Sequence, residues 1–161
     1  MTRTIILLRH AKSAWPAETP DAARPLATRG RRDAPAVGRW LREQAPTIDL
    51  VVCSTAVRAV QTWDLAAAQL DLIPRVRYEQ CLYGASAEEL LTATVKLPST
   101  TSTAVLVGHN PGLEDFLTLL TGAHEPLKTS GIAVITTPGN WEENCPGSCT
   151  LEALATPRGQ A

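Results

Sequence analysis

Three short runs of this chain are almost wholly apolar, and each stops at a polar cluster: "TIILLRHAKS" (4–13), "IDLVVCSTAVR" (48–58) and "TAVLVGHNPG" (103–112). Runs this short, rich in β-branched residues, suit strands buried on both faces. A strand buried on both faces belongs to a sheet that helices cover on both sides. Helical spacing follows each run. In 28–44, Val37, Trp40 and Leu41 fall at i, i+3 and i+4 with arginines opposite, an amphipathic helix. Pro35 requires that the regular helix begin near Asp33 or kink there. Arg29, Arg31 and Arg32 read as its solvated face.

Residues 55–70 place Val57, Val60, Leu65 and Ala68 at helical spacing, with Ser54 or Thr55 as cap. Ser86 and Glu89 have capping-box spacing and open a helix over 86–97. The segment 110–122 has Asn110 as cap, Pro111 in the first turn, an apolar stripe of Leu113, Phe116, Leu117 and Leu120, and Gly122 as terminator. Residues 75–80 alternate weakly and predict a further strand ending near Glu79. The segments 131–139 and 148–157 read as two antiparallel strands joined by the loop around Trp141. The alternation predicts a three-layer α/β sandwich with a mostly parallel central sheet, helices on both faces and an antiparallel edge.

The 161 residues fit one domain, 1–161, with a core that needs no staple. Fifteen basic against sixteen acidic side chains exclude the strongly basic footprint of a nucleic-acid coat. No apolar run is long enough to span a bilayer, and the N-terminal aliphatic run is too short for an export signal. A cytoplasmic chain is therefore expected, with Cys53, Cys81, Cys145 and Cys149 as free thiols and the Cys145/Cys149 pair as loop residues, not a zinc site. No metal or cofactor is called for.

In open α/β sheets, ligands bind beyond the carboxyl ends of the strands. The first strand is followed by Arg9, His10, Lys12 and Ser13, the second by Ser54, Thr55 and Arg58, and the third by His109 and Asn110. Two imidazoles and two guanidinium groups should thus meet on one edge. Guanidinium groups repel a metal ion, whereas arginines beside helix N-termini favour a tetrahedral anion. The chain lacks the glycine-rich Lys-Ser/Thr loop of nucleotide triphosphate sites, so a single phosphoryl group is the better candidate. An imidazole in such a pocket can act as nucleophile. His10 suits that role, with Arg9, Arg58 and His109 binding the phosphoryl oxygens. Ser13 is a further substrate-binding candidate and Lys12 is left open. "KTSG" (128–131) reads as a loop entering a strand, and His124 as surface.

These residues also resemble a family. "LLRHAKS", "RPLATRG" (24–30), "CSTAVRAVQT" (53–62), "VLVGHNPGL" (105–113) and "KTSGIAVI" (128–135) follow the order of motifs in the histidine phosphatase superfamily, also called phosphoglycerate mutase-like. Their order resembles that of its short SixA-type branch of phosphohistidine phosphatases. The resemblance spans 4 to about 136. It implies that His10 is transiently phosphorylated and that Arg9, Arg58 and His109, the last in protonated form, complete the phosphate pocket. Ala11 stands where the family usually has glycine. Glu79 takes the general acid's place in the motif order. A phosphohistidine imidazole leaves more easily than an alkoxide, so a site with a weak acid favours phosphohistidine on a protein. The alternatives are a phosphomonoesterase for small phosphate esters and a non-catalytic phosphate-binding module.

Overall fold

The computed structural model describes residues 2–160. Strands β1 (Arg3–Arg9), β2 (Leu50–Cys53), β3 (Arg75–Tyr78), β4 (Thr103–Gly108), β5 (Ile132–Thr137) and β6 (Thr150–Ala155) form one sheet in the order β3-β2-β4-β1-β5-β6. The first four are mutually parallel, β5 runs antiparallel to β1, and β6 antiparallel to β5. Four helices cover the sheet: α1 (Thr28–Gln44), α2 (Val57–Ala67), α3 (Ala87–Val95) and α4 (Gly112–Thr121). The three-layer, mostly parallel sandwich with an antiparallel edge is the expected architecture.

The alternation of side chains along β1 divides the core between the two faces. Ile5 and Leu7 pack with Leu90 of α3 and Phe116 and Leu117 of α4, together with Trp141 from the β5–β6 connection. Ile6 and Leu8 pack on the opposite side with Val37 and Leu41 of α1 and Ala59 and Trp63 of α2. Both clusters are sealed from solvent, which explains why the strands read as continuous apolar runs.

α1 starts at Thr28 and passes through Pro35, so a start near Asp33 is not what the chain does. The proline removes the donor to the Arg31 carbonyl, and Arg31 is exposed, where water can take that place. α2 differs from expectation in register. Its buried face is Arg58, Ala59, Thr62, Trp63 and Ala66, not Val57, Val60, Leu65 and Ala68. Two polar residues on the buried side misled the apolar count. Neither Ser54 nor Thr55 caps the helix, which begins after Ala56 without a side-chain cap. In α3 the capping box of Ser86 and Glu89 forms as read. In α4 the cap position belongs to Pro111, and Asn110 Oδ1 instead accepts from Glu114 N–H inside the first turn. The predicted stripe of α4 is fully buried, and Gly122 closes the helix in the left-handed region at φ 77°.

The sheet register is what builds the site. Arg9 pairs with Gly108, and Cys53 with Val107. The three parallel strands β1, β2 and β4 therefore end level. The next residues, His10, Ser54 and His109, emerge side by side.

Candidate active site

His10 is buried, 7% exposed, and its backbone N–H donates to Gly108 O at 3.1 Å. The loop before β5 supports it from the other side, where Ser130 N–H lies 3.1 Å from both the Arg9 and the His10 carbonyls. His10 Nδ1 sits 2.7 Å from the Ala11 carbonyl oxygen. A carbonyl only accepts, so Nδ1 carries the ring hydrogen and Nε2 keeps its lone pair. Burial, and then the charges of His109, Arg58 and Arg9, outweigh that hydrogen bond and hold the imidazole pKa down to about 3. The ring is neutral at pH 7, the form a nucleophile needs. Ala11 has negative φ and is fully buried, so alanine in the glycine position carries no backbone strain. Its N–H donates to Thr62 Oγ1 at 2.9 Å, which ties the turn after His10 to α2.

The His109 ring lies 5.2 Å from that of His10, centroid to centroid. Its Nε2 is 2.8 Å from Ser54 Oγ, which accepts from Ala56 N–H and has its own hydrogen to give. In that tautomer Nδ1 is a donor, and it is buried with no partner. Burial, followed by the Arg58 charge, lowers the His109 pKa to about 4. The protein by itself favours neutral His109, because burial beside several cations disfavours a further positive charge. The negative charge of a phosphoryl group beside the ring raises that pKa and favours the expected imidazolium.

Arg58 projects from α2 with 6% exposure. It donates to the Asp21 backbone carbonyl at 2.7 Å through one terminal nitrogen and to Asp21 Oδ2 at 3.0 Å through the other. Arg9 donates to Leu127 O at 3.1 Å, and Asn110 Nδ2 donates to the same carbonyl at 2.7 Å. The Nε atoms of both arginines are buried and unpartnered. A pocket of about 210 Å³ opens over this cluster, and Arg9, His10, Ser13, Arg24, Arg58 and His109 all contribute to its wall. Lys12 and Trp15 form its outer rim. Four cations line the pocket with no carboxylate among the lining residues. Such an arrangement favours a compact anion.

Of the expected residues, the structure brings together Arg9, His10, Arg58, His109 and Ser13. Ser13 Oγ accepts from Arg24 at 3.1 Å, so its placement braces an arginine. Glu79 is not brought in. Its carboxylate faces Arg77 at 3.8 Å and lines a separate cavity of about 340 Å³ with Cys81, Leu82 and Lys96. β3 is an outer strand of the sheet, three places from β1, which carries Glu79 away from His10.

Three participants lie where no strand end pointed. Arg24, in the motif "RPLATRG", is 6% exposed and donates through Nε to Asp21 Oδ1 at 3.0 Å. Asp21 stands in a short 3-10 turn, Asp21–Ala23, outside the pocket wall. It receives Arg58, Arg24 and the Tyr83 hydroxyl together. The Tyr83 hydrogen bond, and then Arg58 and Arg24, hold its carboxyl pKa down to about 2. Tyr83 also meets the His109 ring edge-on, at 5.5 Å. The spacing of Asp21 and Arg24 by three residues was the available signal, but both lie in a loop with no periodicity. All four cysteines are free thiols. Among the described residues no three His, Cys, Asp or Glu side chains group so as to hold a metal ion, and no helix is long and apolar enough to cross a membrane.

Known proteins share this sequence pattern and this fold. The sequence profile of the histidine phosphatase superfamily (branch 1) matches residues 5–86. The uncharacterized protein Rv1276c of Mycobacterium tuberculosis is 38% identical over 162 residues, covering 94% of this chain and 100% of its own length. Among solved structures, a protein provisionally named phosphohistidine phosphatase SixA from Nakamurella multipartitia superposes with a TM-score of 0.87 at 32% identity, over 98% of this chain and 97% of that one. Its namesake from Agrobacterium tumefaciens gives 0.84 at 26% identity, over 96% and 98%. The chain belongs to the histidine phosphatase superfamily, in its SixA-type branch, and is a histidine-type phosphatase.

Proposed function

We propose that the protein removes phosphoryl groups from phosphohistidine carried on a protein, with His10 as the covalent nucleophile. The observation that carries this reading is the convergence of His10, His109, Arg9 and Arg58 on one cation-lined pocket. His10 Nε2, its lone pair freed by the Nδ1 contact to Ala11 O, attacks phosphorus in line. A bond forms from Nε2 to phosphorus as the bond to the leaving nitrogen breaks; that nitrogen keeps the electron pair, and the ring takes a proton from solvent on its other nitrogen, so that it departs as neutral imidazole. Arg9, Arg58 and His109 hold the equatorial oxygens and stabilise their charge in the transition state. Water then attacks phospho-His10, the Nε2–phosphorus bond breaks, and inorganic phosphate leaves with neutral His10 restored.

Two features favour a nitrogen leaving group over an alkoxide. An alkoxide needs a proton from a general acid inside the site, whereas the imidazole of phosphohistidine has a second nitrogen that solvent can protonate. Asp21, the carboxylate nearest the pocket arginines, is held ionised by Tyr83, Arg58 and Arg24, and Glu79 lies at a different cavity. The resemblance to proteins named for phosphohistidine phosphatase points the same way.

A panel of a phosphohistidine peptide, an aryl phosphate and an alkyl phosphate, compared by kcat/KM, tests the proposal. Preference for the peptide is expected, and preference for the alkyl ester would refute the substrate class. Brief mixing with any accepted donor should leave an acid-labile phosphoryl group on His10, and His10→Ala should abolish both label and turnover.

A further inference from the structure

Trp15 sits five residues beyond His10 and is 75% exposed, while its neighbour in the pocket wall, His10, is 7% exposed. One face of its ring is occupied. The Arg24 guanidinium carbon lies 3.4 Å from the ring centroid. That guanidinium is buried and held in place by Asp21 Oδ1, Ser13 Oγ at 3.1 Å and the Ala14 carbonyl at 3.3 Å. The indole therefore lies on a fixed cationic base, and exposure of that extent leaves much of the ring open to solvent at the pocket mouth. Hydrophobic burial does not hold it there, since it is nearly all exposed. The cation–π contact does.

We infer that Trp15 is the leaving-group platform of this site, on which a planar aromatic leaving group stacks as phosphorus transfers to His10. The reasoning is geometric. In-line attack places the leaving atom on the far side of phosphorus from the nucleophile. With His10 at the buried end of the pocket, the leaving group points outward, toward the rim that Trp15 and Lys12 form. A cation on one indole face draws electron density toward itself, so the free face attracts a second cation less strongly and accepts a neutral ring. The four cations of the pocket select against a positively charged leaving group in the same direction. A neutral imidazole satisfies both conditions, and so does a neutral phenyl ring. The imidazole is the natural occupant on the phosphohistidine reading above, on which this identification rests.

The test compares wild type, Trp15→Ala and Trp15→Phe on three donors: a phosphohistidine peptide, phenyl phosphate and ring-free phosphoramidate. Stacking of one aromatic pair is worth about a fivefold factor. The ratio of kcat/KM for each ring-bearing donor to that for phosphoramidate should fall about fivefold in Trp15→Ala and stay close to wild type in Trp15→Phe. An equal change on all three donors, or no change on the ring-bearing ones, overturns the platform. The ring is exposed, so neither variant should fail to fold. If wild type turns over phenyl phosphate with the expected response to substitution but ignores the phosphohistidine peptide, the platform stands and the phosphohistidine reading fails.

Discussion

Asp21 shows how one carboxylate can order a cationic site without entering it. Arg24 and Arg58 must approach each other to line one pocket, and their like charges oppose that. Asp21 accepts from both, at 3.0 Å each, and from Tyr83. Its side chain is about half exposed, so water screens part of the attraction and its main effect is to aim the two arginines. Asp21→Asn keeps the shape and removes the charge. It should lower kcat/KM for any phosphoryl donor by about tenfold, the scale of one charge-assisted hydrogen bond. Steady-state kinetics on phenyl phosphate would check this, and Tyr83→Phe should have a smaller effect of the same sign. The two imidazoles set the acid stability. His10 and His109 are held neutral with pKa values of about 3 and about 4, against 6.5 in the unfolded chain. Between those values the unfolded chain binds more protons than the folded one, so stability falls as pH drops below 6.5 and continues to fall toward pH 3. The urea midpoint should decline steeply over that window in the wild type and less steeply in His10→Asn.

At the scale of elements, two glycines let helices approach closely enough to place the site. A Cβ on Gly30 would lie 2.1 Å from the Lys12 carbonyl oxygen, which also accepts Ala27 N–H. The first turn of α1 therefore rests directly on the loop that follows His10, and the last residue of "RPLATRG" has a steric reason to be glycine. Gly30→Ala should push that loop away and lower kcat/KM while costing about 1–3 kcal/mol of stability. A Cβ on Gly38 would lie 2.1 Å from the Ala66 carbonyl oxygen, where α1 crosses α2. Gly38→Ala should cost a similar amount, because the clash with backbone exceeds the roughly 1 kcal/mol of helix propensity gained. Denaturant titration measures both, and the kinetic penalty should be larger at Gly30 because Gly38 is farther along the helix from the catalytic loop. α2 does more than cover the sheet. Arg58, Gln61 and Thr62 bond respectively to Asp21, the Leu26 N–H and the Ala11 N–H, so this one helix holds both loops that frame the pocket.

For the molecule as a whole, the segment after β5 closes the structure from behind the site. Trp141 is buried beneath the sheet and donates from its indole N–H to the Thr101 carbonyl at 2.8 Å. The chain then forms β6 and returns to α1, where Arg158 pairs with the buried Asp33 at 3.2 Å and Gly159 N–H donates to the same carboxylate at 2.9 Å. Arg158 also donates to the Thr129 carbonyl at 2.8 Å, and Thr129 lines the pocket. Removing residues beyond Thr156 should cost about 2 kcal/mol, the scale of lost hydrogen bonds to a charged group. That corresponds to a fall in Tm of roughly 4–8 °C, readable by thermal unfolding.

The layers of the sandwich were legible in the order of residues alone, because strands buried on both faces leave continuous apolar runs between helical repeats. The sequence also determined His10, Arg9, Arg58 and His109 as candidates, since parallel strands end on one edge whatever their order. The order of those strands emerges only on folding, and with it that Glu79, three strands from β1, reaches another cavity. Folding alone brought Asp21, Arg24 and Tyr83 to the arginines, because loop residues far apart in the chain carry no period that marks where they return. The protonation of His109 and the buried face of α2 were likewise set by surroundings. The pKa of an imidazole and the inward side of a helix depend on what packs against them, and that is a property of the folded chain, not of the order of its residues.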